Sequence, residues 1–428
     1  MSCTPWDIKG AKTQIVVIAS YGSQSAEEDL NLFHDAFFPN QAMPEFEQRF
    51  PLGLPDYSNV DSTYDWGKES SLDIQWAHAI APHASIDLLV SPSDANDNFS
   101  DAIADFTSLL QHTIDYYSPG TIVSLSWGAR ESDYTADEIT EMEAKFKAGV
   151  EKGITFFASS GDEGSNNASL TAFEDNHTPN VLYPASSPYV IAVGGTQLQY
   201  AWNWYPTSND PYLASADNSG AVDAVANPDY FNFIDVPFPQ IPLQQIETVW
   251  NEAWSGDATG GGNSDLFDIP DWQAPVADII YTQSGRGRGI PDIAWNASVS
   301  SGVPVYYDGT WHVEGGTSAS APQVAGFFAL INQYLAEQGM DYIGHLNPYL
   351  YQIEDDTAFN DIVPTTLGTV LAGEQVSNQV FEYLNDGTLI YSDVTGYPTT
   401  EGWDMTTGFG SPRGKHFLNA LVKVMSEN

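Results

Sequence analysis

The segment Gly315 to Pro322 (GGTSASAP) restricts what this chain can fold into more than any other part of the sequence. It follows a strand-like and turn-like run, Val303 to Val313, and precedes a long apolar segment, Gln323 to Leu335. Small residues permit a tight strand-to-helix turn, and Pro322 suits the first turn of a helix. A serine on such a turn exposes its hydroxyl beside its own backbone N–H, as a nucleophile requires. Ser318 is therefore a candidate nucleophile, with a helix cap as the alternative.

Strand-like and helix-like segments alternate through the first half of the chain. Apolar, β-branched runs predict strands, and segments with helical spacing of apolar residues predict helices between them. This alternation predicts an α/β fold with a mainly parallel, doubly wound sheet flanked by helices. The predicted strands are Thr13–Ala19, Ile86–Val90, Thr121–Trp127, Ile154–Ser159 and Tyr189–Val193; the predicted helices are Leu30–Phe38, Glu69–Ile80, Phe99–Tyr117 and Ala136–Lys152.

Loops that leave the carboxyl ends of such strands are where ligands bind in α/β proteins. Two segments, Ser126-Trp127-Gly128 and Ser160-Gly161-Asp162, lie at the carboxyl ends of predicted strands. We expect both of them to contribute to a site.

The charge balance excludes several classes of partner. The chain has 57 acidic residues against 13 Lys and Arg, a formal net charge of -44 and an isoelectric point near 4.1. Such a surface repels nucleic acid and anionic membranes at neutral pH, and is suited either to high salt or to acid. No apolar run approaches the ~20 residues that span a bilayer. Cys3 is the only cysteine, so an intrachain disulfide is excluded.

A serine nucleophile needs a base, and two kinds of candidate occur. None of the eight histidines lies in a His-Gly-Thr context, and His78 is interpreted as a core or helix-surface residue. Glu69 and Asp73 are four residues apart on a predicted helix, so they share one face. Two carboxylates there tend to share a proton, which raises one pKa. In so acidic a chain, however, such pairs also arise by chance and are usually solvated.

Asp162 is a candidate for stabilising negative charge. It follows the strand Ile154–Ser159 between two glycines. A protonated Asp can donate a hydrogen bond to a developing oxyanion, whereas an ionised one opposes it. The alternative is a turn-forming residue with no chemical role.

These candidates occur within an ordered series of motifs that resembles the sedolisin family, the serine-carboxyl peptidases. The resemblance covers nearly the whole chain and implies an enlarged subtilisin-like fold, with residues 1–428 forming one peptidase domain. The motifs are Glu69-Ser-Ser-Leu-Asp73, Ser124-Leu-Ser-Trp-Gly128, Ala158-Ser-Ser-Gly-Asp162, Tyr183-Pro-Ala-Ser-Ser-Pro188, Glu247-Thr-Val-Trp-Asn251, Gly289-Ile-Pro-Asp-Ile293, Gly315-Gly-Thr-Ser318 and Thr407-Gly-Phe-Gly-Ser-Pro412.

The resemblance also implies roles for the candidate residues. Ser318 would attack a peptide carbonyl, Glu69 would take its proton, and Asp73 would orient Glu69. Asp162 and the Ser318 N–H would hold the oxyanion, and extended substrate would pair with the backbone of Ser126, Trp127 and Gly128. The expected activity is an acid-acting endopeptidase. The alternatives are a His-dependent subtilisin-like hydrolase and a non-catalytic binding or structural protein on this fold.

The resemblance further implies one structural calcium ion in the region 361–412. Carboxylate and carbonyl oxygens are ligands that calcium prefers. Relatives are made with a prodomain that is cleaved off, so we expect a mature, monomeric enzyme that is secreted or acts in an acidic compartment. Residues 200–246, rich in aromatics and proline, are predicted to form an inserted surface segment. The implied calcium ligands are the side chains of Asp361 and Asp404 and the carbonyls of Ile362, Thr400 and Gly402, with Thr400 standing where many relatives have glycine.

Overall fold

The computed structural model describes residues 8–57, 65–95, 98–167, 178–201, 244–252, 255–283, 285–364, 376–383 and 389–427. Its strands are β1 (Gln14–Ser20), β2 (Phe46–Arg49), β3 (Ser85–Ser91), β4 (Ile122–Leu125), β5 (Ala129–Arg130), β6 (Thr155–Ser159), β7 (Leu182–Tyr183), β8 (Val190–Ala201), β9 (Gln244–Val249), β10 (Asn251–Glu252), β11 (Asp257–Ala258), β12 (Gly262–Asp268), β13 (Gly287–Ile290), β14 (Ile293–Asn296), β15 (Val303–Tyr307), β16 (Thr310–Glu314), β17 (Phe359–Asn360), β18 (Phe381–Tyr383), β19 (Leu389–Tyr391) and β20 (Ser411–Pro412). Its α-helices are α1 (Ala26–Phe37), α2 (Trp66–Ile80), α3 (Phe99–Tyr116), α4 (Ala136–Lys152), α5 (Ala277–Thr282), α6 (Thr317–Glu337), α7 (Asn347–Leu350) and α8 (Gly414–Glu427). Two 3₁₀ turns cover Glu131–Asp133 and Asp271–Val276.

A largely parallel sheet forms the centre of the molecule. Seven strands follow the order β14-β8-β6-β4-β1-β3-β2, and every pair along this path is parallel. The strand β9 pairs antiparallel with the far half of β8. Strand order that steps outward in both directions from the middle is the doubly wound topology, so the predicted fold class is confirmed.

Helices cover both faces of this sheet, as two neighbouring residues of β6 demonstrate. Successive side chains of a strand point to opposite faces. Phe156 packs against Phe146 of α4, with ring centroids 5.2 Å apart, whereas Phe157 packs against Phe328 of α6 at 4.9 Å. The helices α4 and α6 therefore lie on opposite sides, and apolar strand residues are buried between them.

The helix α4 illustrates why sequence patterns located these elements well. Thr135 and Glu138 form a reciprocal capping box at its start, and Gly153 ends it in the left-handed region at φ 93°. Both signals are legible in sequence because each depends on neighbours within one turn. The predicted bounds and the observed bounds of this helix coincide.

The helix that carries Ser318 begins earlier than the sequence predicts. The sequence predicts Pro322 in the first turn, but α6 starts at Thr317, so Pro322 lies in the second turn. Because proline has no N–H, it cannot donate to the carbonyl of Ser318 one turn before it. That carbonyl is left available to another donor.

The helices α2 and α6 pack closely together and bring their first turns side by side. A Cβ added to Gly326 of α6 would lie 2.9 Å from the carbonyl oxygen of Ala77 in α2, so only glycine permits this approach. The hairpin of β15 and β16 is fastened to α2 as well. Gln75 accepts from the N–H of Tyr306 at 2.9 Å and donates to its carbonyl at 2.7 Å. These contacts fix the turn after β16 against the start of α2.

The predicted inserted segment lies largely outside the described residues, which resume at Gln244. Between 361 and 400, the described parts contain the short hairpin of β18 and β19. No helix in the described ranges is long and apolar enough to cross a membrane.

Candidate active site

Ser318 lies in the first turn of α6, at its second residue. The cap position is occupied by Gly316, at φ 85° and ψ 163°, and a glycine has no side chain with which to cap the helix. The N–H of Gly316 donates to the carbonyl of Ala297 at 2.6 Å, which anchors the turn to the end of β14. Ser318 is half-buried, and it is not the helix cap. Backbone N–H groups in a first helical turn have no acceptor one turn earlier in the helix. The N–H of Thr317 donates to Asp162 and that of Ala319 to the carbonyl of Gly316, so the N–H of Ser318 is the candidate donor to an incoming oxygen.

Glu69 and Asp73 lie one turn apart near the start of α2, on one face of the helix. Glu69 retains some contact with solvent, whereas Asp73 is fully buried. Oε1 of Glu69 and Oδ2 of Asp73 are both buried, and neither has a hydrogen-bond partner among the described residues. One proton shared between the two neighbouring carboxyl groups would satisfy both of these oxygens.

Burial raises the pKa of both carboxyl groups. It raises the pKa of Glu69 to about 7, and a hydrogen bond from the Ser318 side chain opposes this shift. Negative charge on Asp162 and Glu314 adds to the increase. Burial also raises the pKa of Asp73, with repulsion from Glu69 as the next cause. The pair therefore holds at least one proton well above the pH at which isolated carboxyl groups ionise.

Asp162 approaches the same turn from the end of β6. Its Oδ1 accepts hydrogen bonds from both the N–H and the hydroxyl of Thr317, each at 2.7 Å. Its Oδ2 lies against Gly316, where an added Cβ would approach within 2.7 Å. Burial raises the pKa of Asp162, and the two bonds from Thr317 oppose that shift. The structure thus brings together the serine and the three carboxyl groups that the sequence singles out.

The predicted substrate-pairing segment lies directly after β4, whose described pairings end at Leu125. Ser126 directs its hydroxyl into the protein, toward Asp73 at 2.6 Å. Trp127 is buried; it stacks on Phe106 at 4.0 Å and donates to the carbonyl of Ile18 at 3.1 Å. Backbone pairing of this segment with substrate remains a prediction, but the side chains of Ser126 and Trp127 are engaged within the protein.

His78, the alternative base, lies in a different environment. It is nine positions after Glu69 on α2, about 180° around the helix. It is fully buried, and its Nε2 is 2.9 Å from Nδ1 of His34. Burial, followed by the neighbouring His34 and His83, lowers the pKa of His78 to about 3. These observations agree with the interpretation of His78 as a core residue.

Two supporting residues were missed by the sequence analysis. Thr317 connects Asp162 to the serine turn, and no local pattern distinguishes it from an ordinary helix-start threonine. Glu252 is fully buried and accepts from Trp250, Ser298 and the N–H of Val299 at 2.7–3.1 Å. These bonds fix the loop that follows Ala297. The carbonyl of Ala297 in turn accepts the N–H of Gly316.

The residues implied as calcium ligands lie in two adjacent segments. Oδ2 of Asp361 accepts from the N–H of Gly402 at 2.8 Å, while its Oδ1 is buried without a partner in the described chain. Asp404 is fully buried and accepts from the N–H groups of Thr400, Thr406 and Thr407 at 2.8–2.9 Å. An unpaired buried oxygen on Asp361 fits a cation, whereas Asp404 would have to share oxygens that already accept hydrogen bonds. No cluster of three or more metal-binding side chains occurs in the described ranges.

A serine at the start of a buried helix, faced by carboxyl groups from two other elements, is an arrangement that can activate a serine hydroxyl. The sequence model of the subtilase family matches residues 77–346. The chain therefore belongs to the subtilase family.

Within that family, the chain is similar to sedolisin-type enzymes. It is 34% identical over 361 residues to kumamolisin of Bacillus sp. (strain MN-32), a match that covers 84% of this chain and 51% of that protein. It is 31% identical over 295 residues to sedolisin of Pseudomonas sp. (strain 101), covering 68% of this chain and 39% of that protein. It is 26% identical over 403 residues to tripeptidyl-peptidase 1 of Dictyostelium discoideum, a match that covers 92% of this chain and 54% of that protein. The chain thus spans about half the length of the curated relatives it matches or less.

A solved structure has the same fold over the whole chain. Pseudomonas sedolisin, described as a serine-carboxyl proteinase in complex with two molecules of pseudo-iodotyrostatin, superimposes with a TM-score of 0.64. The two sequences are 24% identical in that superposition, which covers 100% of this chain and 94% of the other. The likeness confirms the enlarged subtilisin-like architecture expected from the sequence motifs.

Proposed function

We propose that this chain is an acid-acting serine-carboxyl endopeptidase. The observation that carries the proposal is the meeting of three elements at one serine. The Ser318 side chain interacts with Glu69 closely enough to oppose the rise in the pKa of that carboxyl group, while Thr317, the residue before it, donates two hydrogen bonds to Asp162. Similarity to kumamolisin and sedolisin supports the same chemistry.

The proposed reaction begins when Oγ of Ser318 attacks the carbonyl carbon of a peptide bond. Its proton passes to Glu69, while Asp73 keeps the shared proton directed at Glu69. The carbonyl oxygen becomes an oxyanion, which accepts hydrogen bonds from protonated Asp162 and from the N–H of Ser318. Glu69 then returns the proton to the leaving amine, and an acyl group remains on Ser318. Water, deprotonated by Glu69 in turn, releases the second product.

The charge state of these groups supports action in acid. Asp162 has to be protonated in order to donate, and burial raises its pKa, which extends its protonated range upward. Glu69 can accept a proton from Ser318 only when the carboxyl pair carries a single proton that resides on Asp73, and because burial raises the pKa of Glu69 to about 7, this requirement sets the acid limit of the working range. A formal net charge of -44 at neutral pH also supports an acidic working environment, because protonation of carboxylates relieves the self-repulsion. We therefore propose secretion into an acidic medium or an acidic compartment as its location.

The proposed substrate is an extended peptide whose backbone pairs with residues 126–128. Several of the relatives are named tripeptidyl-peptidases, so the length of the products decides between internal cleavage and removal of tripeptides. A denatured protein substrate, incubated across a pH series and analysed by mass spectrometry, gives both the pH dependence and the product lengths. Internal fragments in acid that Ser318→Ala fails to produce support the endopeptidase. Products that are uniformly tripeptides would indicate a tripeptidyl-peptidase and not an endopeptidase. Equal cleavage by wild type and Ser318→Ala would refute both of these activities.

A non-catalytic binding protein on the same fold is the alternative. It predicts retention of intact peptide in acid with no release of fragments. A His-dependent hydrolase has less support, because His78 faces away from Glu69 and is occupied by His34.

We also propose one structural calcium ion, held by Asp361 and Asp404 with carbonyl oxygens of Ile362, Thr400 and Gly402. The unpaired Oδ1 of Asp361 is the observation that supports it. When bound, the ion would join the segments around 361 and 402; it supplies no step of the reaction.

A further inference from the structure

We propose that the hydroxyl of Ser126 is a positioning group that fixes which oxygen of Asp73 carries the proton shared with Glu69. This inference rests on the proposed function and adds a residue to its machinery. The family resemblance implies a role only for the backbone of Ser126, as a partner for substrate.

The contacts of the Ser126 side chain define its role. Its Oγ lies 2.6 Å from Oδ1 of Asp73 and 3.4 Å from the carbonyl oxygen of Ser318. Both Ser126 and Asp73 are buried, at 4% and 0% exposure, so water does not compete for the shorter contact. The longer contact is to the carbonyl that Pro322 leaves without its usual helical donor. Ser126 therefore touches both the carboxyl pair and the helix that carries the nucleophile.

A hydroxyl has one proton, and two arrangements of it are conceivable. In the first, Ser126 donates to Oδ1 of Asp73, and the acid proton lies on Oδ2, directed at Oε1 of Glu69. In the second, Oδ1 carries the acid proton and donates to Ser126, which must donate to Ser318 over 3.4 Å, the limit of a hydrogen bond. The second arrangement also leaves Oε1 of Glu69 and Oδ2 of Asp73, both buried, without a proton between them. The first arrangement satisfies both oxygens of Asp73 and Oε1 of Glu69, and gives up only the long contact with the carbonyl of Ser318.

The position of Ser126 is set by its neighbours and not by Asp73. Trp127 is held by stacking on Phe106 and by its bond to Ile18, and β5, which follows, pairs with β7. The hydroxyl is thus presented from a rigid segment to a fully buried carboxyl group. Such an arrangement can orient Asp73 before substrate arrives.

The test compares Ser126→Ala with Ser124→Ala, Ser126→Thr and wild type. Ser124 lies two residues earlier on β4, and its buried Oγ has no hydrogen-bond partner among the described residues, which makes it a matched control. In Ser126→Ala we expect kcat to fall by roughly 10- to 100-fold at unchanged KM, because the carboxyl pair is no longer aligned. We also expect the acid limb of the kcat/KM profile to move up by roughly 0.5–1 pH unit, since a donor to the ionised pair is lost. In Ser126→Thr, which keeps the hydroxyl, the midpoint of the acid limb should stay at the wild-type pH. The same result is expected for Ser124→Ala.

The outcomes separate this inference from the proposed function. Wild type without Ser318-dependent hydrolysis would refute the proposed function, and this role with it. If wild type is active but the acid limb of the kcat/KM profile does not move in Ser126→Ala, only the role of Ser126 is refuted. An equal shift of this limb in Ser124→Ala would refute that role as well. Circular dichroism and thermal midpoints verify folding. If Ser126→Ala does not fold, Ser126→Cys is measured in its place, because a thiol preserves the volume while donating only weakly.

Discussion

Thr317, the residue before Ser318, gives both of its donors to a single oxygen of Asp162, each over 2.7 Å. This double contact fixes the serine turn against the end of β6. It also leaves Oδ2 of Asp162 as the oxygen that can face substrate. The carboxyl group proposed to hold the oxyanion is therefore oriented by the residue next to the nucleophile, and no adjustment is needed when substrate binds.

The first prediction distinguishes a carboxyl base from an imidazole base. Glu69→Gln removes the proton acceptor while preserving size, so the acid-pH kcat should fall by about 10²- to 10⁴-fold. His78→Ala should leave the acid-pH rate within a few fold, because His78 contacts His34 and lies on the far side of α2. Steady-state kinetics on both variants is the measurement. A reversal of the two results would establish an imidazole-dependent enzyme.

The second prediction concerns the alkaline limb of the pH profile. Burial raises the pKa of Asp162, and as pH rises the group ionises and its charge opposes the oxyanion. Asp162→Asn keeps an acceptor for Thr317 and places an amide donor where Oδ2 now lies. The rate at the optimum should fall by roughly 10- to 100-fold, since the amide donates less strongly than an acid. The decline toward neutral pH should become shallower.

The profile of kcat/KM for both proteins, within the range in which each is folded, checks this result. If the alkaline limb of Asp162→Asn is as steep as that of wild type, the group that titrates in this limb is not Asp162 and is assigned to the pair Glu69 and Asp73.

The third prediction concerns the metal. A ligand that binds only the native state stabilises it, so excess chelator at neutral pH should lower the thermal midpoint by several degrees. Asp361→Asn should have a lower midpoint that no longer responds to the chelator. Asp356→Asn, an exposed position in the same segment, is the matched control and should behave as wild type. A melting curve of wild type that excess chelator does not change would argue against a structural calcium ion.

The fourth prediction concerns stability and pH. Burial raises the pKa of Glu143 to about 7 from 4.5, and hydrogen bonds from Ser187 and Tyr183 oppose the shift. A carboxyl group with a raised folded pKa stabilises the fold fully below its unfolded value, and this contribution is lost as pH rises through its folded value. The free energy of unfolding should therefore decline between about pH 4 and pH 7.

Glu143→Gln removes this dependence while preserving an acceptor for Tyr183, whose hydroxyl donates over 3.0 Å. The free energy of unfolding of Glu143→Gln, relative to that of wild type, should be about 2 kcal/mol higher at pH 7 than at pH 4. This is less than the full linkage value because Glu143 keeps some solvent contact. Urea unfolding at both pH values measures the difference. Parallel pH dependence in the two proteins would mean that other carboxyl groups or overall repulsion are responsible.

Elements whose formation depends on local sequence were predicted closely. The run Ile15–Ala19 and the capping residues of α4 signal structure within a few positions. The start of α6 was predicted too late, because Pro322 resembles a first-turn residue and the contacts of Thr317 with Asp162 lie 155 positions apart in sequence. The Ser126 contact with Asp73 spans 53 positions, and only the folded sheet brings these residues together. The candidate site could be predicted through the resemblance to a family, whereas its supporting contacts required the structure.

The central claim, that Ser318 is a nucleophile activated by Glu69, is tested most directly by trapping the acyl-enzyme. Wild type is mixed with a peptide ester in acid, quenched within milliseconds to seconds and digested for peptide mapping by mass spectrometry. We predict an acyl group on the peptide that contains Ser318 in wild type, and none above background in Glu69→Gln. Efficient turnover with no acylated Ser318 would contradict the account, because it would mean that the carboxyl groups activate water directly.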